Sequence, residues 1–226
     1  MANWTRRAGI AAVALSAVAF SATARAGAGS DDGDFTADEL QRLDDGELVE
    51  RPVTEEQGDL RLMGGTSWQV IEAEPEAVWT ALLDTAHYSH MLPKLSEARV
   101  VEDTGDSRTV YLRHGGVTHT SYYLDLKVDR KRRSLTFRVD QSRPRGIRAA
   151  WGFYTVRPYT HGRSLLVYGV MADIGEGLVQ ALLRSTVHEW MMKVPWLVKR
   201  FVEGSGREFY SSMTQSPVAS SSDAAP

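Results

Sequence analysis

Cysteine is absent from the 226-residue sequence, so disulfides and thiol chemistry can play no part in this protein. The short motifs of common catalytic chemistries are missing as well: there is no Gly-x-Ser-x-Gly, phosphate-binding loop, dinucleotide fingerprint or His-Glu-x-x-His. An excess of positive charge is also lacking, because the formal net charge is −3. We therefore expect no nucleic-acid partner and no cofactor.

Histidine is sparse, and its spacing does not indicate a metal site. His87 and His90 lie three residues apart, and His114 and His119 flank a Gly-Gly turn. A zinc site needs at least three protein ligands in a defined geometry, and neither pair has an evident third ligand. We expect no bound metal.

The N-terminal apolar run is too short to span a membrane. It extends over 13 residues, from Ala8 to Phe20, whereas about 20 are needed. Arg6 and Arg7 precede it, and Ala24-Arg25-Ala26 after it forms a small-x-small cleavage site. We predict that residues 1–26 are a signal peptide cleaved after Ala26, with a periplasmic or secreted location. Sec and twin-arginine export both remain open.

Composition divides the remaining chain into three parts. Residues 27–66 form an acidic leader, in which Thr36 and Glu39 have capping-box spacing and predict a short helix, followed by an additional strand near 48–53. Residues 67–203 form the main domain. Residues 204–226 are rich in Ser, Ala and Pro, and we expect a flexible tail there.

The main domain begins with a strand and two short helices, and then continues mostly as strands. Short polar turns separate the strands, which predicts an antiparallel meander. The predicted strands after the helices are 97–102, 108–113, 117–128, 134–139, 147–156 and 163–172. The class is therefore α+β.

Alternation within these strands indicates one apolar and one polar face. For example, Tyr122 and Leu124 share a face, whereas Tyr123 and Asp125 share the other. The strand 147–156 is ambiguous, but Arg157 favours Tyr154 and Val156 pointing inward.

The last apolar run, Gly177 to Glu203, has the three- and four-residue spacing of an amphipathic helix. Such a helix must bury its apolar face against the sheet. Pro195 within it removes a backbone hydrogen bond, so we expect a kink near Met191 and Met192.

Several segments resemble the START and Bet v 1-like (SRPBCC) superfamily, with its polyketide cyclase/dehydrase and coenzyme-Q-binding branches. They are Ile71-Glu72-Ala73-Glu74-Pro75-Glu76-Ala77-Val78-Trp79, Leu92-Pro93, Gly152-Phe153-Tyr154 and Gly162-Arg163-Ser164-Leu165. The resemblance covers about residues 67–203 and implies a helix-grip fold, in which a curved antiparallel sheet wraps around a long C-terminal helix. Members bind lipids, sterols, hormones, polyketides or quinones in a cavity between the two, and some are enzymes, so the fold does not decide the function.

The resemblance implies a cavity lined by the apolar faces of sheet and helix. The candidate lining residues are Tyr122, Leu124, Phe137, Val139, Tyr154, Tyr168 and Val170 on the sheet, with Leu182, Leu183, Thr186 and Trp190 on the helix. We expect a hydrophobic small molecule as the partner, and we assign no catalytic residue. Two alternatives stay open: a cavity enzyme using Tyr122, Tyr154, Tyr168 or Glu189 as proton donor or acceptor, and a surface interaction module without a ligand.

Residues Lys127 to Arg148 contain nine Lys or Arg but only two acids. Long basic side chains are usually solvated, and the alternative is transient contact with an anionic membrane surface. We expect a monomer.

Overall fold

Eight antiparallel strands form one curved sheet in the computed structural model. The structure describes residues 34–92, 94–115, 120–175 and 178–211, with the backbone alone at 178–182 and 211, and the described residues from Thr36 onward form one compact unit. The strands are β1 (Val49–Gln57), β2 (Leu60–Ile71), β3 (Leu95–Asp103), β4 (Ser107–His114), β5 (Thr120–Asp129), β6 (Ser134–Val139), β7 (Ala149–Pro158) and β8 (Ser164–Asp173). Their order across the sheet is β1-β2-β8-β7-β6-β5-β4-β3.

The six strands predicted after the short helices correspond to β3–β8 within a few residues, and the α+β helix-grip class is confirmed. Residues 117–119 of one predicted strand lie outside the described residues. The ambiguous strand is β7, and Val156 on it is buried while Trp151 is exposed, as Arg157 indicated. The register places Tyr154 opposite Tyr168, so both point to the inner face.

Strand β2 is continuous through Gly64 and Gly65. The ladder continues because these glycines allow neighbouring backbones to approach closely. Gly65 has φ +138°, and a Cβ there would lie 2.2 Å from the Arg51 carbonyl oxygen. A Cβ on Gly64 would lie 1.9 Å from the Val170 carbonyl oxygen. Glycine therefore permits β2 to pair on both edges.

Helix α2 (Pro75–Leu83) follows β2, and a 3-10 turn (Thr85–His87) and α3 (Tyr88–Met91) follow α2. Proline suits the first turn of α2, where its missing N–H has no partner to lose. The buried side of α2, which includes Val78, Trp79 and Leu82, packs into the core below the sheet.

The C-terminal run forms two helices, α4 (Leu178–Met192) and α5 (Val194–Glu203), rather than one kinked helix. The break is at Lys193, because Pro195 has no N–H to bond to the carbonyl of Met191. The Met192 carbonyl accepts a hydrogen bond from Ser67 Oγ at 2.8 Å, so β2 supplies a donor where the helix ends. Helix α5 carries the main core contacts of this pair, through Val198, Phe201 and Val202.

Residues 36–66, which we treated as a leader, contribute to the sheet and to a layer on its outer face. Helix α1 (Ala37–Asp44) has the predicted capping box between Thr36 and Glu39. Glu39 pairs with Arg51 of β1 at 2.9 Å, and the Arg51 guanidinium lies 5.1 Å from the Trp68 ring centroid. Leu43 on α1 is 1% exposed. The outer face of β1 and β2 is therefore covered by α1.

Residues 204–211 differ from the flexible tail that we expected. Helix α6 (Arg207–Ser211) carries Tyr210, which is 2% exposed and donates a hydrogen bond to Asp84 Oδ2 at 3.0 Å. The buried aromatic side chain anchors this segment. The prediction of a flexible tail relied on the Ser, Ala and Pro content of residues 204–226 and overlooked this tyrosine. Residues 212–226 lie outside the described residues. Among the described helices, none is long and apolar enough to span a membrane.

Candidate functional site

The inner face of the sheet divides into a closed part and a part that stays accessible. Leu126, Val128 and Leu135 are buried in the same core cluster as α2 and α5. Other side chains on the inner side pack against this core but keep accessible surface. They include Tyr88, Leu92, Tyr122, Leu124, Tyr154, Met191 and Val194, and we call the partly accessible surface of these seven side chains the inner cleft.

Three aromatic side chains form a cluster beside the inner cleft. The rings of Tyr154 and Tyr168 stack with centroids 4.7 Å apart, and Phe137 lies 5.8 Å and 6.3 Å from them. Adjacent strands impose this contact, because Tyr154 and Tyr168 are directly opposite across β7 and β8. The cluster forms an aromatic wall that carries the hydroxyl groups of Tyr154 and Tyr168.

A histidine and a tyrosine form a second polar feature of the cleft. His114 Nε2 lies 2.8 Å from Tyr122 Oη, and the two rings stack with centroids 5.5 Å apart. His114 ends β4, and its register partner on β5 is Thr120, two residues from Tyr122. The sheet thus brings the pair together diagonally.

Burial keeps these polar groups uncharged. Removal from water raises the pKa of Tyr122, Tyr154 and Tyr168, and it lowers the pKa of His114. At neutral pH the tyrosines are therefore protonated and His114 is neutral. The cleft offers hydrogen-bond donors and a neutral imidazole.

The predicted sheet residues all lie on the inner face, as their registers show. Phe137, Val139, Tyr168 and Val170 are buried, whereas Tyr122, Leu124 and Tyr154 keep accessible surface and border the cleft. Their role in holding a ligand stays a prediction.

The predicted helix residues are less uniform. Leu183 is half-buried, and Trp190 is half-buried beneath the Lys94 ammonium, 4.9 Å from its ring centroid. Thr186 is exposed, because its turn of α4 faces solvent, so the structure gives it no place in the cleft. The side chain of Leu182 lies outside the described residues.

Glu189, a candidate proton donor in the enzyme alternative, is also on the solvent side. Its carboxylate is 62% exposed and pairs with Lys193 at 2.5 Å. An exposed, paired carboxylate does not have the environment of a cavity acid or base.

Sequence reasoning missed four residues of the inner cleft: Tyr88, Leu92, Met191 and Val194. Tyr88 and Leu92 belong to a helical segment too short for periodicity to indicate its buried side. The spacing of a continuous helix places Val194 on the apolar face, although not among the predicted lining residues, and it leaves Met191, beside the helix break, off that face. Tyr88 donates a hydrogen bond to the Leu82 carbonyl at 2.5 Å, and burial raises its pKa to about 12.

The described residues include no group of three or more His, Asp or Glu side chains placed to hold a metal ion. His87 instead lies 2.7 Å from Asp84 Oδ2, in contact with the rings around Tyr210. His119 lies outside the described residues.

The basic segment from Lys127 to Arg148 is largely paired. Arg133 pairs with Glu76, Arg143 with Glu102 and Asp140, and Arg148 with Asp173. These pairs fit a solvated surface. A polar opening of about 540 Å³ lies at the β1–β2 turn beside Arg148, but its lining includes Glu56, Asp59 and Arg61, which does not suit an apolar ligand.

Comparison with known proteins places the chain among relatives of similar architecture. The family model described as polyketide cyclase / dehydrase and lipid transport matches residues 65–200. Among curated proteins, none matches this sequence.

Several solved structures share the fold. A STAR-related lipid transfer protein from Xanthomonas axonopodis is 13% identical with a TM-score of 0.52, over 69% of this chain and 99% of that one. A protein from Thermus thermophilus is 16% identical with a TM-score of 0.53, over 67% and 98%. The Zhui aromatase/cyclase from a Streptomyces species is 16% identical with a TM-score of 0.50, over 64% and 98%. At such identities the likeness shows the fold alone.

Proposed function

Because this chain belongs to the polyketide cyclase/dehydrase and lipid transport family of the START and Bet v 1-like superfamily, we propose that it binds a hydrophobic small molecule in the inner cleft and carries or sequesters it. The observation that carries this proposal is the accessible surface of Tyr122, Leu124 and Tyr154 on the inner face. Inward-facing side chains in a close-packed core have almost none.

The composition of the cleft supports a binding role. Apolar and aromatic side chains are part of the lining, and the tyrosine hydroxyl groups among them can orient a ligand, as small-molecule sites require. Tyrosine and methionine offer a large contact area, and methionine adapts to different shapes.

Filling the cleft tests the proposal. We expect the full chain to bind the neutral hydrophobic dye Nile red saturably, with blue-shifted emission. Leu124→Trp places an indole in the cleft and should weaken binding more than about tenfold, which corresponds to about 1.4 kcal/mol. Val53→Trp is the matched control, since Val53 is 46% exposed on β1, and it should leave binding unchanged. An absence of saturable binding, or equal effects of the two variants, would refute the proposal.

A second candidate, a cavity enzyme, is favoured by the contact between His114 and Tyr122. A neutral histidine bonded to a tyrosine can accept or relay a proton inside an apolar site. If the protein is an enzyme of the cyclase or dehydratase kind, His114→Gln should abolish conversion of a poly-β-keto substrate while dye binding persists. If wild type converts no such substrate, or the variant retains full turnover, this candidate fails.

Location and surface contacts are also part of the proposal. Export rests on the sequence pattern of residues 1–26, which lie outside the described residues, and a secreted product beginning at Gly27 in an intact-mass measurement would support it. Transient docking on anionic membranes would use the exposed Arg130 and Lys131 of the β5–β6 turn. We propose that the protein acts as a monomer.

A further inference from the structure

Resting on the membrane contact in the proposed function, we propose that the protein docks on anionic lipid through the outer face of its sheet, opposite the inner cleft. The docking surface consists of Lys127, Arg138, Trp151, Phe153 and Met171, and we call it the aromatic–basic patch. The indole of Trp151 enters the head-group region, and the cations bind lipid phosphates. The partner is a lipid surface with net negative charge.

Strand register brings the five side chains together. Trp151 and Phe153 face outward, because they alternate with the inward-facing residues of β7. Trp151 lies opposite Arg138 of β6 on one side and Met171 of β8 on the other. Phe153 and Lys127 lie opposite the same residue of β6, from its two sides. The rings and the two cations therefore form one continuous surface.

The patch is open to solvent, whereas another part of the same face is covered. Where α1 covers the sheet, Trp68 is 7% exposed, and Val167 opposite it is 3% exposed. Further along β7 and β8, Trp151 is 38% exposed. Phe153 lies against the β8 backbone, since a Cβ on Gly169 would be 2.2 Å from its ring. Adjoining aromatic side chains that stay exposed mark an interaction site.

The positive charge beside these rings is not neutralised by the protein. Lys127 is exposed, as are Arg130 and Lys131 in the adjoining β5–β6 turn. In the part of the chain that the structure describes, no ion pair joins these three to a carboxylate. Arg138 is 73% exposed and lies 3.9 Å from Asp125, at the limit of an ion pair. These cations are free to bind an external anion.

The rest of the basic segment does not share this property. Arg133 and Arg143 each have a carboxylate at 3.0 Å, and Arg148 has one at 3.4 Å. The unpaired cations are therefore concentrated on the β5–β6 hairpin, beside Trp151.

A lipid surface matches this combination of groups. Tryptophan favours the membrane–water interface, because its ring is apolar and its N–H is polar. Lys and Arg side chains are attracted to anionic head groups, and a fluid lipid layer requires no fixed geometry from them. A protein partner, in contrast, usually buries its aromatic anchors in closely packed pockets. Long, unpaired cations around an open strand surface therefore favour lipid.

Cosedimentation with vesicles tests this inference on residues 27–226. The compact unit begins at Thr36, and removing residues 1–26 keeps the apolar run Ala8–Phe20 from binding lipid itself. We expect binding to vesicles of equal parts phosphatidylglycerol and phosphatidylcholine, and at least about tenfold weaker binding to phosphatidylcholine alone. Binding should weaken as salt concentration rises.

Two exposed tryptophans on different sides of the molecule provide a matched pair of variants. Trp151→Ala should weaken vesicle binding by more than about tenfold, the order expected for burial of the exposed part of an indole. Trp196→Ala is the control, because Trp196 is 36% exposed on α5, and it should stay within about twofold of wild type.

A charge-matched pair of variants leaves the aromatic rings in place. Lys127→Gln combined with Arg138→Gln should weaken vesicle binding by about thirtyfold, the usual contribution of two cations near an anionic surface. Both positions are exposed, so the fold should be kept. Lys193→Gln combined with Arg200→Gln removes the same charge on the helical side and should change binding little.

The outcomes separate docking from ligand binding. Trp151→Ala should bind Nile red like wild type, because the patch and the cleft are on opposite faces. No binding to the anionic vesicles would overturn the docking inference and favour a protein partner for the patch. Equal binding to both vesicle types, or equal effects of a variant and its control, would also overturn it. If wild type binds vesicles but not Nile red, docking stands and ligand binding in the cleft fails.

Discussion

The outer layer under α1 gives a direct test of how far the folded unit extends. Leu43 is 1% exposed, whereas Leu40 on the same helix is 45% exposed. Truncating a buried leucine to alanine removes its transfer free energy and leaves a cavity, at a cost of about 2–5 kcal/mol. For a unit of this size, each kcal/mol shifts Tm by about 2–4 °C, so a mid-range cost near 3 kcal/mol predicts a shift of about 6–12 °C.

The assay is unfolding of Leu43→Ala and of Leu40→Ala by heat and by urea, each followed by circular dichroism. Both changes make the same replacement in the same helix, so differences in helix propensity cancel. We expect Leu40→Ala to stay within about 0.5 kcal/mol of wild type. If Leu43→Ala costs less than about 1 kcal/mol, or no more than its control, then α1 is not an integral part of the fold and our account of residues 36–66 is wrong.

Three further changes test other parts of the account. In denaturant unfolding, Gly65→Ala should destabilise the protein by more than about 3 kcal/mol, because its new Cβ meets the Arg51 carbonyl. The control Gly58→Ala has open space around it and should cost only about 1–2 kcal/mol. Equal costs for the two variants would contradict the close approach of the backbones at Gly65. Tyr210→Ala should lower the free energy of unfolding by about 3–5 kcal/mol. Phe209→Ala should lower it much less, because Phe209 is 55% exposed. Similar melting temperatures for the two variants would show that α6 does not pack against the domain. Stability should fall above pH 10, because the folded pKa of Tyr88 is raised to about 12 and unfolded tyrosine loses its proton first, near 10. Tyr88→Phe should reduce that slope by about 1.4 kcal/mol per pH unit, and an unchanged slope would refute this assignment.

The sequence predicts the sheet well because burial on one face imposes a period of two. The alternation that placed Tyr154 and Val156 inward is reproduced by the registers of β6 to β8. Short turns determine the neighbours, so the strand order of the meander follows. The capping box of α1 is equally local, since both hydrogen bonds join residues three apart.

Long-range packing explains most of what was missed. The role of Gly64 and Gly65 depends on the neighbouring strands β1 and β8, which local sequence does not report. Tyr210 looked like part of a polar tail, because its anchor, Asp84, is 126 positions away.

The candidate site shows the same division. Strand periodicity identified Tyr122, Leu124, Tyr154 and Tyr168, but it could not show which of them keep accessible surface. On the helix, periodicity placed both Thr186 and Val194 on the apolar face and left Met191 off it. In the structure the helix breaks at Lys193, Met191 and Val194 pack against the core, and Thr186 is exposed. The contact between His114 and Tyr122 depends on cross-strand register and could not be read from spacing.

Native mass spectrometry of the full chain, followed by organic extraction of whatever is bound, tests the central claim most directly. We predict one apolar molecule per chain, and we predict that Leu124→Trp lowers its occupancy. The bare polypeptide mass, together with no uptake from a neutral-lipid extract, would contradict the account and favour a surface interaction module with a filled core.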